Sequence, residues 1–163
     1  MFFLQKSLCF IICLLWFSLG FAGINNPLII NFSKTQYGAA NKNWSISEDE
    51  HGILYFGNDI GLLEFDGIEW KLNKLPKAEV VRSVYVVSNN EIYTGGYEEF
   101  GKWSRQPDGE LTYTSLSKEL PTDNWQNDDI WRILPQGESI YFQSFSGIFR
   151  HHLPTGKTEK ITI

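Results

Sequence analysis

The chain has 163 residues, a length that suits one domain, with 15% aromatic residues, 14 glycines and a formal net charge of −5. The mild acidity, with no clustered basic stripe, argues against a nucleic-acid surface. Both cysteines, Cys9 and Cys13, fall in the first stretch of the chain, so the domain beyond it must be held by its core without disulfides.

That first stretch has the three parts of a secretory signal peptide. Lys6 supplies the positive charge, Ser7–Phe21 is almost wholly apolar, and Gly20 and Ala22 place small residues where a signal peptidase cuts. The expected outcome is an exported, periplasmic or cell-envelope protein in which residues 1–22 are the signal peptide and residues 23–163 remain. The alternative is an uncleaved anchor, but Leu8–Ala22 is 15 residues and a spanning helix needs roughly 20. Neither cysteine sits in a lipidation box, since Phe10-Ile11-Ile12 lacks the small residue expected before Cys13. Removal of Lys6 with the leader makes the mature chain more acidic by a single charge, with no further membrane span in it.

Beyond the leader the sequence is a series of short strands. Ile53–Phe56, Leu62–Phe65, Val80–Val87, Glu91–Thr94, Ile140–Gln143 and Ile148–His151 carry β-branched or aromatic residues at strand length. Asp66-Gly67, Asn89-Asn90, Asp108-Gly109 and Thr155-Gly156 between them favour tight hairpin turns, and His51-Gly52 reads the same way. The fold class is therefore all-β and antiparallel.

The strands repeat in order. Trp44-Ser45-Ile46, Gly52–Gly57 and Gly61–Gly67 are answered by Arg82-Ser83-Val84, Glu91–Gly96 and Phe100–Trp103. Trp131-Arg132-Ile133, Ser139–Gln143 and Gly147–Arg150 follow. Ile46, Val84 and Ile133 align with spacings of 38 and 49 residues, the longer one reflecting an insertion around Ser115–Asn127. A period near 40 with four strands per unit is the pattern of a propeller blade. The units run approximately over 43–76, 80–116 and 128–163. Gly57, Gly61, Gly95 and Gly101 suit tight turns and close sheet contacts. A seven-stranded sandwich is the competing architecture, but it does not explain the triplicated order. Propellers close with about four to eight blades, so three units make an incomplete β-propeller. The strand-like ending Lys157–Ile163 suggests a fragment whose remaining blades lie in a longer protein.

These residues carry a resemblance. Trp44–Asp49, Gly52–Asn58, Gly61–Gly67 and Trp70 resemble the two-component regulator propeller repeats of Bacteroidota-type periplasmic sensors. Val81-Arg82-Ser83 with Gly95–Gly101, and Ile130-Trp131 with Ile140–Ser146, resemble the subgroup that has a triple-tyrosine domain and a LuxR-type helix-turn-helix. The resemblance runs from about Pro27 to about Ile161. It implies a large periplasmic propeller, a Tyr-rich sandwich, one membrane helix and an intracellular output, either a histidine kinase or a helix-turn-helix. No kinase histidine box, phosphate loop or basic recognition helix occurs in this sequence, so only the sensory half of that role transfers.

Few constellations suggest chemistry. His51, His151 and His152 form no metal motif, the last two pointing to opposite faces of a strand, and neither a metal nor a cofactor is expected. Glu98-Glu99 and Asp128-Asp129 are paired carboxylates such as glycosidases use, yet adjacent loop acids read more simply as solvated turn residues. The positions with most promise come from the repeat. Trp44, Arg82 and Trp131 each fall two residues before the aligned apolar residue of a first strand, the strand that lines a propeller channel. Together they would ring one mouth, where indoles stack on sugars and a guanidinium clamps carboxylates. The alternative is that the tryptophans pack between blades while Arg82 pairs with Glu98 or Glu99. Tyr97, Glu99 and Trp125 form a second set on loops.

The expected function is a non-catalytic, ligand-sensing segment of an envelope-spanning signal-transduction or transcription regulator. Its partners would be a carbohydrate or other small ligand and the remaining blades and output domains. The carbohydrate class follows from the resemblance alone. A propeller glycosidase or lyase would need carboxylates converging at one mouth. A secreted protein-interaction module would show a polar mouth and an apolar flank.

Overall fold

The computed structural model describes residues 27–77, 80–121 and 127–161, so the leader expectation and Trp125 lie outside the described residues. The chain divides between Asn31 and Phe32, and the fold below belongs to the unit that begins at Phe32.

That unit is three antiparallel four-stranded sheets in sequence. The first holds β1 (Asn43–Glu48), β2 (Leu54–Asn58), β3 (Gly61–Phe65) and β4 (Trp70–Asn73), hydrogen-bonded in that order. The second holds β5 (Val81–Ser88), β6 (Glu91–Gly96), β7 (Glu99–Arg105) and β8 (Leu111–Ser115). The third holds β9 (Arg132–Gln136), β10 (Ser139–Gln143), β11 (Ile148–His152) and β12 (Lys157–Ile161), again as neighbours in chain order. The architecture is that of three successive propeller blades, as the strand pattern and repeat predict. Hairpin connections suffice because each strand pairs with the one made just before it.

The register shows why the repeat is physical. In the first blade Ile46, Phe56, Leu63 and Leu72 stand in one cross-strand row. In the second the row is Val84, Thr94, Gly101 and Ser115, and in the third Ile133, Phe142, Phe149 and Lys160. The three residues aligned in sequence thus occupy one place in each sheet.

Two cores fill the gaps between blades. Tyr55 and Leu62 of the first blade pack with Val81, Ile92 and Trp103 of the second, with Leu75 of the connector joining them. Tyr93 and Phe100 face the other way and pack with Ile133, Ile140, Phe142 and Phe149 of the third, closed by Leu116, Leu120 and Ile130. Phe100 stacks on Phe142 with centroids 4.2 Å apart. Side chains of this kind contribute roughly 1.5–3 kcal/mol each when fully buried, so the strand alternation is what joins blade to blade. A polar bridge crosses the first interface as well. Arg105 Nη2 donates to Glu64 Oε1 at 2.7 Å and to the Tyr55 hydroxyl at 2.8 Å.

Two short helical elements were not legible from the sequence pattern. Helix α1 (Lys34–Tyr37) is a single turn ending on Gly38 in the left-handed region. Phe32 before it and Tyr37 at its end pack their rings against Trp70, which stacks on Phe65 at 4.2 Å. A 3₁₀ turn at Ser117–Glu119 occupies the start of the expected insertion and seats Leu116 and Leu120 in the second core.

Candidate functional site

Two of the three first strands begin with a bulge, and each bulge lifts one side chain out. In β1 the register slips between Asn43, opposite Asn58, and Ser45, opposite Gly57, so Trp44 is the extra residue of a bulge. In β5 the slip lies between Val81, opposite Gly96, and Ser83, opposite Gly95, so Arg82 holds the same position. Trp131 comes just before β9, its N–H donating to the Gln143 carbonyl at 2.8 Å. A bulge leaves its extra residue outside the ladder and re-aims it, which is why Trp44 and Arg82 leave the alternation of their strands, whereas Trp131 precedes its strand.

The three side chains meet. The Arg82 guanidinium carbon lies 3.8 Å from the Trp44 ring centroid and 5.5 Å from that of Trp131. The two indoles stand 6.3 Å apart at 74°. Arg82 Nε donates to Asp129 Oδ1 at 3.2 Å, and its Nη1 is buried with no hydrogen-bond partner. The Trp44 Nε1 donates to Asp59 Oδ1 at 2.7 Å. Arg82 is mostly covered, while Trp44 and Trp131 are 40% and 38% exposed. A guanidinium held over an indole contributes roughly 0.5–2 kcal/mol, the larger value when water is excluded.

The pairing of Arg82 with Glu98 or Glu99 is corrected by this geometry. Residues 127–131 form a strap that ties the third blade to the second and delivers Asp129. Ile130 N–H donates to Gly96 O at 2.9 Å, the Glu98 N–H donates to Asp128 O, and Ser83 Oγ donates to Ile130 O. Glu98 instead accepts from the Asn127 N–H at 2.9 Å, with both residues at positive φ. The paired acids 128 and 129 are likewise not solvated turn residues. Asp128 is buried and accepts from the N–H groups of Ser146 and Asp129 at 2.7 and 2.8 Å. Burial works against its charge, but the Ser146 N–H, the Ser144 and Ser146 hydroxyls and the Asp129 N–H together hold its carboxyl below the ordinary value.

The second sequence set does not assemble around the first as a unit. Tyr97 pairs its backbone with Asp129, is 42% exposed, and donates its hydroxyl to Asn127 Oδ1 at 3.0 Å. Glu99 accepts from the Tyr113 hydroxyl at 2.9 Å and Ser115 Oγ at 2.6 Å. It lines a separate small pocket of about 110 Å³ with Leu75, Lys77 and Lys118. Among the described residues no group of three or more His, Cys, Asp or Glu is placed to hold a metal ion.

Residues that sequence reasoning missed adjoin Trp131. Phe145, at the tip of the β10–β11 turn, is 86% exposed and sits 5.7 Å from the Trp131 ring. Between them and Arg132, Gln143 and Ser144 lies a hollow of about 420 Å³. Comparing the three repeats column by column would have pointed here, because Arg132 and Gln143 stand where the other blades have serine and glycine. The chemistry available at this mouth is stacking, cation–π contact and hydrogen bonding.

No protein-family model matches the sequence, and no curated protein matches it. Among solved structures, the chain is similar to the extracellular domain assigned to a one-component system, BT4673, of B. thetaiotaomicron. The TM-score is 0.55 at 15% identity, over 74% of this chain and 16% of that one. A second structure, of the extracellular domain assigned to BT4673 as a hybrid two-component system, gives 0.55 at 16% identity, over 73% and 15%. The chain spans about a sixth of the length of these structures, and at this identity the likeness is one of fold. Among the described residues no helix is long and apolar enough to cross a membrane.

Proposed function

We propose that this chain is the sensory segment of an envelope-spanning regulator, exported and non-catalytic, in which a ligand touches the Trp44–Arg82–Trp131 mouth. The observation that carries the reading is the convergence of one repeat position from three blades into a single half-exposed cluster. A ligand seated there would contact all three blades and change how tightly they pack. That packing change is what an attached output domain could read. The likeness to extracellular domains of regulatory systems supports the same role. A glycosidase is the weaker reading, because Asp128 and Asp129 are engaged by backbone N–H groups and by Arg82.

The test is transcriptional output in cells given soluble polysaccharide hydrolysates, for the regulator that contains this chain. Trp44→Ala should cut induction about tenfold or more while the protein keeps its level and its far-UV circular dichroism. Induction equal to that of the unaltered regulator would remove the mouth from the sensing role.

A further inference from the structure

The interface between the second and third blades differs from that between the first and second at two facing positions. Tyr55 stands opposite Glu64 in the first blade and Tyr93 opposite Lys102 in the second, so the two pairs hold one place in the repeat. Both pairs look toward the following blade: Tyr55 and Tyr93 pack into the two successive cores, and Glu64 reaches Arg105. The residues that meet them hold one place too. Ile92 stands opposite Trp103 in the second blade, and Ile140 opposite His151 in the third. The first interface thus sets Tyr55 and Glu64 against Trp103, with Arg105 bonded to the acid, whereas the second sets Tyr93 and Lys102 against a histidine. An acid is exchanged for a cation, and a ring that does not titrate for one that does.

His151 is enclosed by that interface. It is 5% exposed, its Nδ1 lies 3.0 Å from Thr158 Oγ1, and its ring centroid stands 6.3 Å from that of Tyr93. Charged groups reach it from each neighbouring element. β6 brings Glu91, which accepts from the Tyr93 hydroxyl, β7 brings Lys102, and the 3₁₀ turn brings Glu119. His152 follows on its own strand, and on β12 Lys160, two residues beyond Thr158, lies over the Phe149 ring. Burial and then Lys102 act against a charged imidazole, with His152 on the same side, while Glu119 and Glu91 act for it. The balance holds the His151 pKa below its ordinary value of 6.5. A protonated ring there is a buried cation facing a second cation, and parting the two blades returns it to water.

We propose that His151 is an acid-released latch between the second and third blades, which seats them when neutral and favours their separation when protonated. The docked protein holds fewer protons on this residue than the opened one. The docking it secures is therefore complete above the ordinary histidine value and is lost as pH falls through the lower folded value. Trp131 leads into β9 of the third blade, so release of that blade reaches the mouth through this indole.

Amide hydrogen exchange of the exported protein, read by mass spectrometry at pH 7.5 and pH 5.5, tests the latch. The first blade is the reference, because Tyr55 and Leu62 of β2 and β3 belong to the other core. After correction for the intrinsic pH dependence of exchange, protection of β10 and β11 relative to β2 and β3 should fall about threefold or more in acid. His151→Phe installs the residue type of Phe65, which holds this place in the first blade opposite Leu54, and should remove that fall. His151→Gln, polar and able to bond Thr158, should remove it as well and guards against an effect of ring packing alone. His152→Gln changes the neighbour on the opposite face and should leave the fall in place. Constant relative protection in the unaltered protein overturns the proposal, as does a fall of undiminished size in the His151 variants. Loss of the fall in His152→Gln would place the titration on the wrong histidine and overturn it too. None of these outcomes bears on the ligand reading of the mouth.

Discussion

Asp128 shows how a single carboxylate can organise a site without touching a ligand. Its oxygens gather N–H groups from Ser146 and Asp129, so it fixes both the turn that carries Phe145 and the residue that holds Arg82. Because its carboxyl is depressed in the folded state, its contribution to stability is present above the ordinary carboxylate value near 3.8 and is lost as pH falls through the lower folded value. Asp128→Asn should therefore cost about 1.5–3 kcal/mol at neutral pH, the usual worth of hydrogen bonds to a charged group. The difference from the unaltered protein should shrink in acid. Chemical denaturation at pH 7 and at pH 3 measures it, and an equal loss at both values would show that the charge does not matter.

At the scale of elements, first-strand bulges and neighbouring glycines act together. The bulge turns Arg82 out of the ladder, and Gly95 across from Ser83 leaves room for Ile130 of the strap. Adding a methyl at Gly95 forces Ile130 aside, and overpacking of this kind costs about 1–3 kcal/mol. Gly95→Ala should lower the thermal midpoint and loosen Trp131, read as a change in indole emission. Ile130→Ala in the same chain removes Cγ2, the nearest atom at 2.4 Å, but leaves Ile130 Cβ at 2.6 Å and Ser83 Oγ at 2.8 Å, so the double variant should recover only part of the summed single losses. Strict additivity would mean that Ile130 Cγ2 is not the group for which Gly95 makes room. Much of this level was legible in advance. Turn residues and alternation are local properties, and they marked the central strands of all three blades. Helix α1 was not, because four residues are too few for a helical period and its place depends on packing against Trp70.

For the whole molecule, contacts run between successive blades, as in other repeat architectures. The second blade is sandwiched, giving Ile92 and Trp103 to one core and Tyr93 and Phe100 to the other. Removing the third blade should thus leave the first core intact and expose the second. A chain cut after Leu120 is expected to retain strand content by circular dichroism yet self-associate, as bare apolar sheet faces do. Light scattering decides this, and a monodisperse monomer would contradict the packing scheme.

What the sequence by itself determined is the all-β class, the repeat and the three positions Trp44, Arg82 and Trp131, since each rests on spacing along one strand or between copies of one pattern. The partner of Arg82 was decided only by the tertiary structure. Glu98 and Glu99 lie close in the chain, but Asp129, 47 residues away, is brought to Arg82 by a strap whose hydrogen bonds exist only when two blades are already docked. The same holds for Trp131 and Phe145, 14 residues apart, whose rings meet only because the turn between β10 and β11 returns beside the start of β9. Local pattern encodes which residues leave the ladder, and docking of separate sheets decides what they meet.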